Sequence, residues 1–303
     1  GMDCVEMLYK PEDIDFMWRS PAGLHKRSEY LSNSGDSLGN YLDHNSGGWQ
    51  EILPNGGGEC SYKGACLGMH GEISSVPWDC RIIKDSEEEV VLKACITTLR
   101  SPFRLEKEIS LKRDESAITI RESLTNLAKE PMELMWGHHP TVGKPFLDSS
   151  CRIDTNGTVG FSMDQPDFET QRLKPGTRFA WPAPGNGVDF SNVPGEDADT
   201  ADMVYITGFP ERAWYRVHNE NKNISYGMSW DGKLFPYMWM WQVSGGSYGY
   251  PWYGRTYNLA LEPWTSYPSS GLIKAIENGS ALCLEAGEVR QTELCFWIKK
   301  EEI

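Results

Sequence analysis

Positive charge is scarce: 29 Lys and Arg stand against 43 Asp and Glu, a formal net charge of −14. Such a chain repels polyanions, which excludes nucleic acid and acidic membrane surfaces as partners. No Lys/Arg cluster marks a phosphate target. No apolar run reaches the roughly 18 residues of a spanning helix, so no membrane span is expected. The first residues show neither a basic nor an apolar leader region, so no signal peptide is expected and the expected location is cytoplasmic. None of the eight cysteines forms a CxxC pair, and no Cys/His set has zinc-ribbon spacing. A disulfide framework is not expected. Cys95 and Cys295 sit inside apolar strand patterns, so the cysteines read as small buried hydrophobes. Phosphate-loop and dinucleotide glycine fingerprints are missing. So are a long amphipathic helix, an internal repeat and a low-complexity linker.

What the chain has is aromatic surface and turns. It carries 12 Trp, 13 Tyr and 10 Phe, ample area to bury, and 30 Gly and 18 Pro without a collagen-like period. Many turns imply many short strands. A large all-β sandwich accommodates 303 residues as one domain. The expected organisation is a single domain over 1–303, with an irregular segment 1–60 packed on it.

The clearest pattern lies between about 80 and 136. Phe103, Leu105, Ile109 and Leu111 alternate with Arg104, Glu106, Glu108 and Lys112, and Ile118, Ile120 and Leu124 with Thr119, Arg121 and Ser123. A period of two marks strands with one wet face. Turns are expected at Lys112–Glu115 and Thr125–Lys129, which makes an antiparallel meander. Its next strand, Met132–Trp136, should end just before His138 and His139, with Pro140 and Gly143 closing it. Residues 143–200 read as mostly loop. Strands resume at 201–208, 213–219, 224–230 and 237–243, and a last one runs from Val289 to Ile298. Asn33–Ser37 and Asn45–Gly48 are turn-rich. Gly47–Gly58, which holds Trp49 and Asn55, lets backbone come close to a ligand or to another strand.

Two strand ends carry chemistry. Gly137-His138-His139-Pro140 offers two imidazoles, and Leu261-Glu262-Pro263-Trp264 one carboxylate after an apolar strand. Histidine is the side chain most easily poised for proton transfer at neutral pH. A glutamate partly buried beside aromatics is raised in pKa and can act as a base. If the two ends meet, an acid and a base share a pocket. His138 and His139 then point to opposite faces. Trp136, Trp239, Trp241, Tyr250, Trp252 and Trp264 lie near these ends in sequence, and indole rings suit the apolar faces of a sugar. A glycosidase would need a second carboxylate at a defined separation, which spacing does not single out. No spacing demands a metal. The plain alternatives are a solvated strand-end Glu262, a backbone-bonded His139 and a turn histidine at 70.

Taken in order, Met69-His70-Gly71, His138-His139-Pro140-Thr141-Val142 and Leu261-Glu262-Pro263 resemble the aldose 1-epimerase (galactose mutarotase) superfamily over nearly the whole chain. The resemblance implies a large antiparallel β-sandwich of the supersandwich type. It implies an isomerase that interconverts sugar anomers by acid/base-catalysed ring opening. Glu262 would be the base, His139 the acid, and His70 a holder of the ring oxygen. Asp202 would bind sugar hydroxyls, with His138, Trp49, Asn55, Trp241 and Gln242 as further substrate-binding residues. The implied partner is a small-molecule sugar, with no cofactor and no metal, on a monomer or homodimer. This sequence departs from the family pattern at the middle motif, usually Asn-His-x-Tyr-Phe, and lacks the Asn-Arg-Ile that supplies a sugar-binding arginine. A carbohydrate-binding protein without turnover, or a metal-dependent sugar hydrolase or lyase, are the other two readings.

Overall fold

The computed structural model describes residues 1–24 and 36–301. Alternating apolar residues bury one face of each strand, and two antiparallel sheets stack on those faces. One sheet has seven strands in the order Arg178–Ala180, Val159–Phe161, Thr200–Thr207, Tyr237–Ser244, Tyr257–Trp264, Gly137–Val142 and Trp49–Ile52. The other has eight: Cys151–Thr155, Arg212–Asn219, Ile224–Asp231, Val289–Lys300, Ala117–Asn126, Phe103–Lys112, Glu89–Thr97 and Asp79–Asp85. The chain is therefore the antiparallel β-sandwich that its alternation and motifs imply.

Several expectations are corrected by the pairing. Gly137–Val142 is itself a strand, so His138 and His139 sit in mid-strand rather than at an end. Met132–Leu134 is a separate short strand, paired with Leu282–Leu284. Glu262 and Pro263 likewise lie within Tyr257–Trp264. Segment 1–60 is not wholly irregular: Trp49–Ile52 is the edge strand of the seven-stranded sheet, and Ser37–Leu42 is a short helix. Of the Asn33–Ser37 turn, residues 33–35 lie outside the described residues; Asp36 caps the helix by accepting from the Gly39 N–H at 2.6 Å. The stretch 143–200 is mostly loop, as expected, and holds three short strands, Cys151–Thr155, Val159–Phe161 and Arg178–Ala180. Thr125 and Asn126 belong to a strand rather than to the turn after it. Cys66, Cys80 and Cys283 are exposed, so only some cysteines act as core hydrophobes, Cys151 being the buried one.

Alternation decides which side chains meet. His138 and Glu51 point between the sheets, where Glu122 and Lys107 of the eight-stranded sheet receive them. His139, one residue on, must face away from that layer. The seven-stranded sheet thus carries a second buried face, covered by parts of segment 1–60 and by the loop around Asp167. Tyr41, Leu42, Trp18, Trp241 and Trp252 form a small apolar cluster there, apart from the main core.

Between the sheets sits a cluster of four buried titratable groups, Glu51, Lys107, His138 and Glu122. Glu51 accepts from Lys107 Nζ at 2.7 Å and from Trp136 Nε1 at 2.7 Å. His138 Nε2 lies 3.1 Å from Glu122 Oε2. Burial drives Glu51 up, but the adjacent ammonium of Lys107 wins and holds the carboxyl below its usual range. Burial would lower Lys107, yet Glu51 and Glu122 lift it. The Glu51–Lys107 pair is therefore fully charged.

Gly137 has a steric reason. A Cβ there would sit 2.2 Å from Cδ2 of Trp264, whose ring stacks on Trp239 at 4.0 Å. Gly137→Ala should therefore displace Trp264 and cost about 1–3 kcal/mol, the usual penalty of overpacking. Urea unfolding checks this; an unchanged midpoint would contradict the packing described.

Candidate active site

Glu262 and His139 become neighbours through register. Gly137 pairs with Trp264 and Thr141 with Ala260, which sets His139 beside Glu262. Between those pairs each strand has a proline, Pro140 and Pro263, which cannot donate to the ladder. Both side chains point to the face away from the eight-stranded sheet. His139 Nε2 is 3.5 Å from Glu262 Oε1, just beyond hydrogen-bond length. Oε1 is buried and has no hydrogen-bond partner, while Oε2 accepts from Trp264 Nε1 at 3.0 Å. His139 Nδ1 meets Thr141 Oγ1 at 3.0 Å.

His70 arrives from a loop. Its φ of +54° is a left-handed conformation uncommon outside glycine. The loop is held by Asn55, whose amide donates to the carbonyls of Gly58 and Gly68 at 2.8 Å and accepts from the Leu272 N–H at 2.7 Å. His70 Nδ1 accepts from the Gly57 N–H at 3.1 Å. The neutral ring therefore carries its proton on Nε2. The His70 and His139 rings are 5.6 Å apart, edge to face.

These groups wall a cavity of about 250 Å³, lined also by Tyr41, Trp239, Trp241, Trp252, Asp167 and Ser269. Sites for drug-sized ligands run from roughly 300 to 1,000 Å³, so this one suits a smaller molecule. Burial pushes Glu262 up to about 8, with the Trp264 N–H pulling back only in part. Burial lowers His139 to about 4 and, with His139 nearby, His70 to about 3. Asp167 is raised to about 6 by burial, against a hydrogen bond from Ser269. Between pH 4 and 8 the Glu262–His139 pair therefore holds one proton, a state with one acid and one base.

The remaining residues singled out in the sequence fall in three places. Trp241 lines the cavity. Asn55 stands behind the His70 loop. Asp202, Gln242, His138 and Trp49 lie on the opposite face of the sheet from the cavity. Asp202 and Gln242 bind Arg172: Nε to Asp202 Oδ2 at 2.7 Å and a terminal nitrogen to Gln242 Oε1 at 2.6 Å. His138 pairs with Glu122, and Trp49 packs on Phe296. Of the other aromatics, Trp136 turns between the sheets and Tyr250 donates to Asp43 at 2.7 Å. Asp167, Ser269 and Phe168 are cavity residues that sequence reasoning missed, because they sit on loops without period. Trp239 had a signal: it is two residues from Trp241 on one strand and so shares its face.

Among the described residues, one set of donors could surround a cation: Glu51, Glu122 and His138, all within 4.8 Å of one another. It lies between the sheets rather than in the cavity, and Lys107 already serves Glu51 there.

Solved structures share this architecture. A protein provisionally described as an aldose 1-epimerase, from Klebsiella pneumoniae subsp. pneumoniae, superposes with a TM-score of 0.69 at 15% identity, over 94% of this chain and 71% of its own. A galactose mutarotase related enzyme from Lactobacillus acidophilus gives 0.61 at 15% identity, over 95% and 88%. A galactose mutarotase-like protein from Clostridium acetobutylicum gives 0.62 at 13% identity, over 99% and 90%. At such identities the likeness establishes the fold, which is the one the sequence motifs imply. A comparison with curated proteins finds no match. The sequence matches a family profile over residues 1–298, and the chain belongs to that family, described as Domain of unknown function (DUF4432).

Proposed function

We propose that the protein interconverts the anomers of a small aldose by acid/base-catalysed ring opening. The observation that carries this is the buried Glu262–His139 pair, 3.5 Å apart, on the wall of a small indole-lined cavity. The fold shared with mutarotase-like proteins supports it. One member of the pair takes the proton of the anomeric hydroxyl, and the other gives its proton to the ring oxygen. The C1–O5 bond breaks as the C1 carbonyl forms. Rotation about C1–C2 and the reverse proton transfers close the other anomer. His70 Nε2–H donates to a ring or hydroxyl oxygen. Trp239 and Trp241 cover the sugar faces.

Glu262 as base with His139 as acid, or the reverse, needs the same total proton count. The pH profile therefore reports the pair. Below about 4 His139 takes a second proton and no base remains; above about 8 Glu262 loses the last one and no acid remains. The expected kcat/KM profile is a bell with limbs near those values. A single limb near the ordinary imidazole value would contradict the assignment. The direct test is anomer exchange by NMR over a panel of sugars. Tryptophan quenching by a sugar that shows no accelerated exchange would point to binding without turnover.

A further inference from the structure

The cavity is polar along one row of the sheet and apolar along the next. Tyr205, Trp239, Glu262, His139 and Gln50 form the first row, each on the strand beside the last. Its ends extend the polar character. Tyr205 Oη meets Ser269 Oγ at 2.9 Å, and Ser269 donates to Asp167 at 3.3 Å. At the other end Tyr41 donates to Gln50 Oε1.

Two residues further along the strands, roughly 7 Å away, lies the row Met203, Trp241, Ala260 and Thr141, of which Thr141 stands outside the cavity lining with its Oγ1 on His139 Nδ1 at 3.0 Å. Around it the cavity wall is Leu42, Met69, Phe168 and Trp252. The Trp241 and Trp252 rings pack 6.0 Å apart, with Trp18 behind both. These side chains supply carbon, sulfur and indole surface and no strong acceptor. On the apolar side Asn45 is the polar wall residue, and its Oδ1 accepts from the Gly47 N–H at 2.9 Å; His70 stands on the side of His139. No lysine or arginine lines the cavity among the described residues.

A pyranose whose C1 and ring oxygen engage the Glu262–His139 row sends a substituent of the ring onto the apolar row. In an aldohexopyranose the one carbon substituent is C6, borne by C5 beside the ring oxygen, and an apolar wall suits carbon. A hydroxyl there would be buried without an acceptor, and a phosphate would be buried without a cation. Resting on the mutarotase reading, we propose that the substrate is an uncharged 6-deoxyaldohexose, with its C6 methyl packed on Met203, Trp241 and Trp252. Asp167 and Ser269, at the polar end, take ring hydroxyls.

The test compares sugars matched in stereochemistry and differing only at C6. The pairs are D-galactose with D-fucose, D-glucose with 6-deoxy-D-glucose, L-galactose with L-fucose, and L-mannose with L-rhamnose. Anomer exchange is followed by NMR with the wild-type protein. In whichever series is accelerated, the 6-deoxy member should have a kcat/KM roughly ten- to a hundredfold higher, the range a buried unpaired hydroxyl sets. The 6-phosphates of D-glucose and D-galactose should not be accelerated. Met203→Asn, which brings an amide to the apolar row, should shrink the preference. Equal or better turnover of the hydroxylated member overturns the substrate class and leaves mutarotation standing. No acceleration in any series overturns the substrate class, and no acceleration for any aldose of a wider panel overturns mutarotation as well.

Discussion

Glu262→Gln should lower the rate of anomer exchange by roughly 10²–10⁴-fold, the usual worth of one acid/base group. The amide keeps the volume and can still accept from Trp264 Nε1, so the cavity wall stays in place. What it loses is the proton. In the proposed mechanism the Glu262–His139 pair acts through the one proton that burial leaves on it near neutral pH, and a glutamine cannot exchange one. Binding should survive: the indoles and His70 are untouched, so kcat should fall more than KM rises.

The same substitution has a stability signature. The folded-state pKa of Glu262 is raised to about 8, above its unfolded value. Between those values the folded protein holds a proton that the unfolded chain has released, so stability is lost as pH rises through that window. The glutamine variant escapes the loss. Its unfolding midpoint should gain on wild type from pH 5 to pH 9. A midpoint difference independent of pH would mean that the carboxyl is not buried as described.

Lys107→Met should be the most destabilising single change in the inter-sheet layer, at about 3–5 kcal/mol, the cost of stranding one partner of a buried pair. Lys107 and Glu51 have side-chain exposures of 6% and 3%, so water cannot replace the ammonium. Glu51 would keep only the Trp136 N–H. The ring of Trp78 would also lose the cation that lies 4.4 Å from its centre. Removing the orphaned charge as well, in Lys107→Met/Glu51→Gln, should restore most of the loss, because the cost lies in the unpaired carboxylate rather than in the absent pair. Urea midpoints of the two single variants and the double variant measure this coupling. A Lys107→Met midpoint near wild type would show that Glu51 is solvated.

Much of the fold could be read from alternation, and the failures have physical causes. Phe103–Lys112 and Ala117–Asn126 follow the period-two pattern because one face of each is wet. Gly137–Val142 and Tyr257–Trp264 are buried on both faces, so no alternation marks them, and their prolines read as terminators. Here neighbouring strands fix the extended backbone despite Pro140: Thr141 donates to the Gly48 carbonyl at 3.0 Å. Opposite faces for His138 and His139 followed from the period alone. What each face would meet did not, because the partners of His138 come from residues near 107 and 122 on the other sheet. Asp202 sits beside Gln242 on paired strands, and only the three-dimensional path of the loop carrying Arg172 shows that both are engaged away from the cavity. Asp167 and Ser269 meet across 102 residues of chain, a juxtaposition that no local pattern encodes.

Magnetisation exchange between the anomers of equilibrated sugars, recorded with and without protein at pH 7, tests the central claim most directly. The expected result is exchange that rises in proportion to protein for at least one neutral aldose and vanishes in Glu262→Gln. Exchange equal to buffer for every sugar, or undiminished in the variant, would contradict a proton-transferring pair at Glu262 and His139.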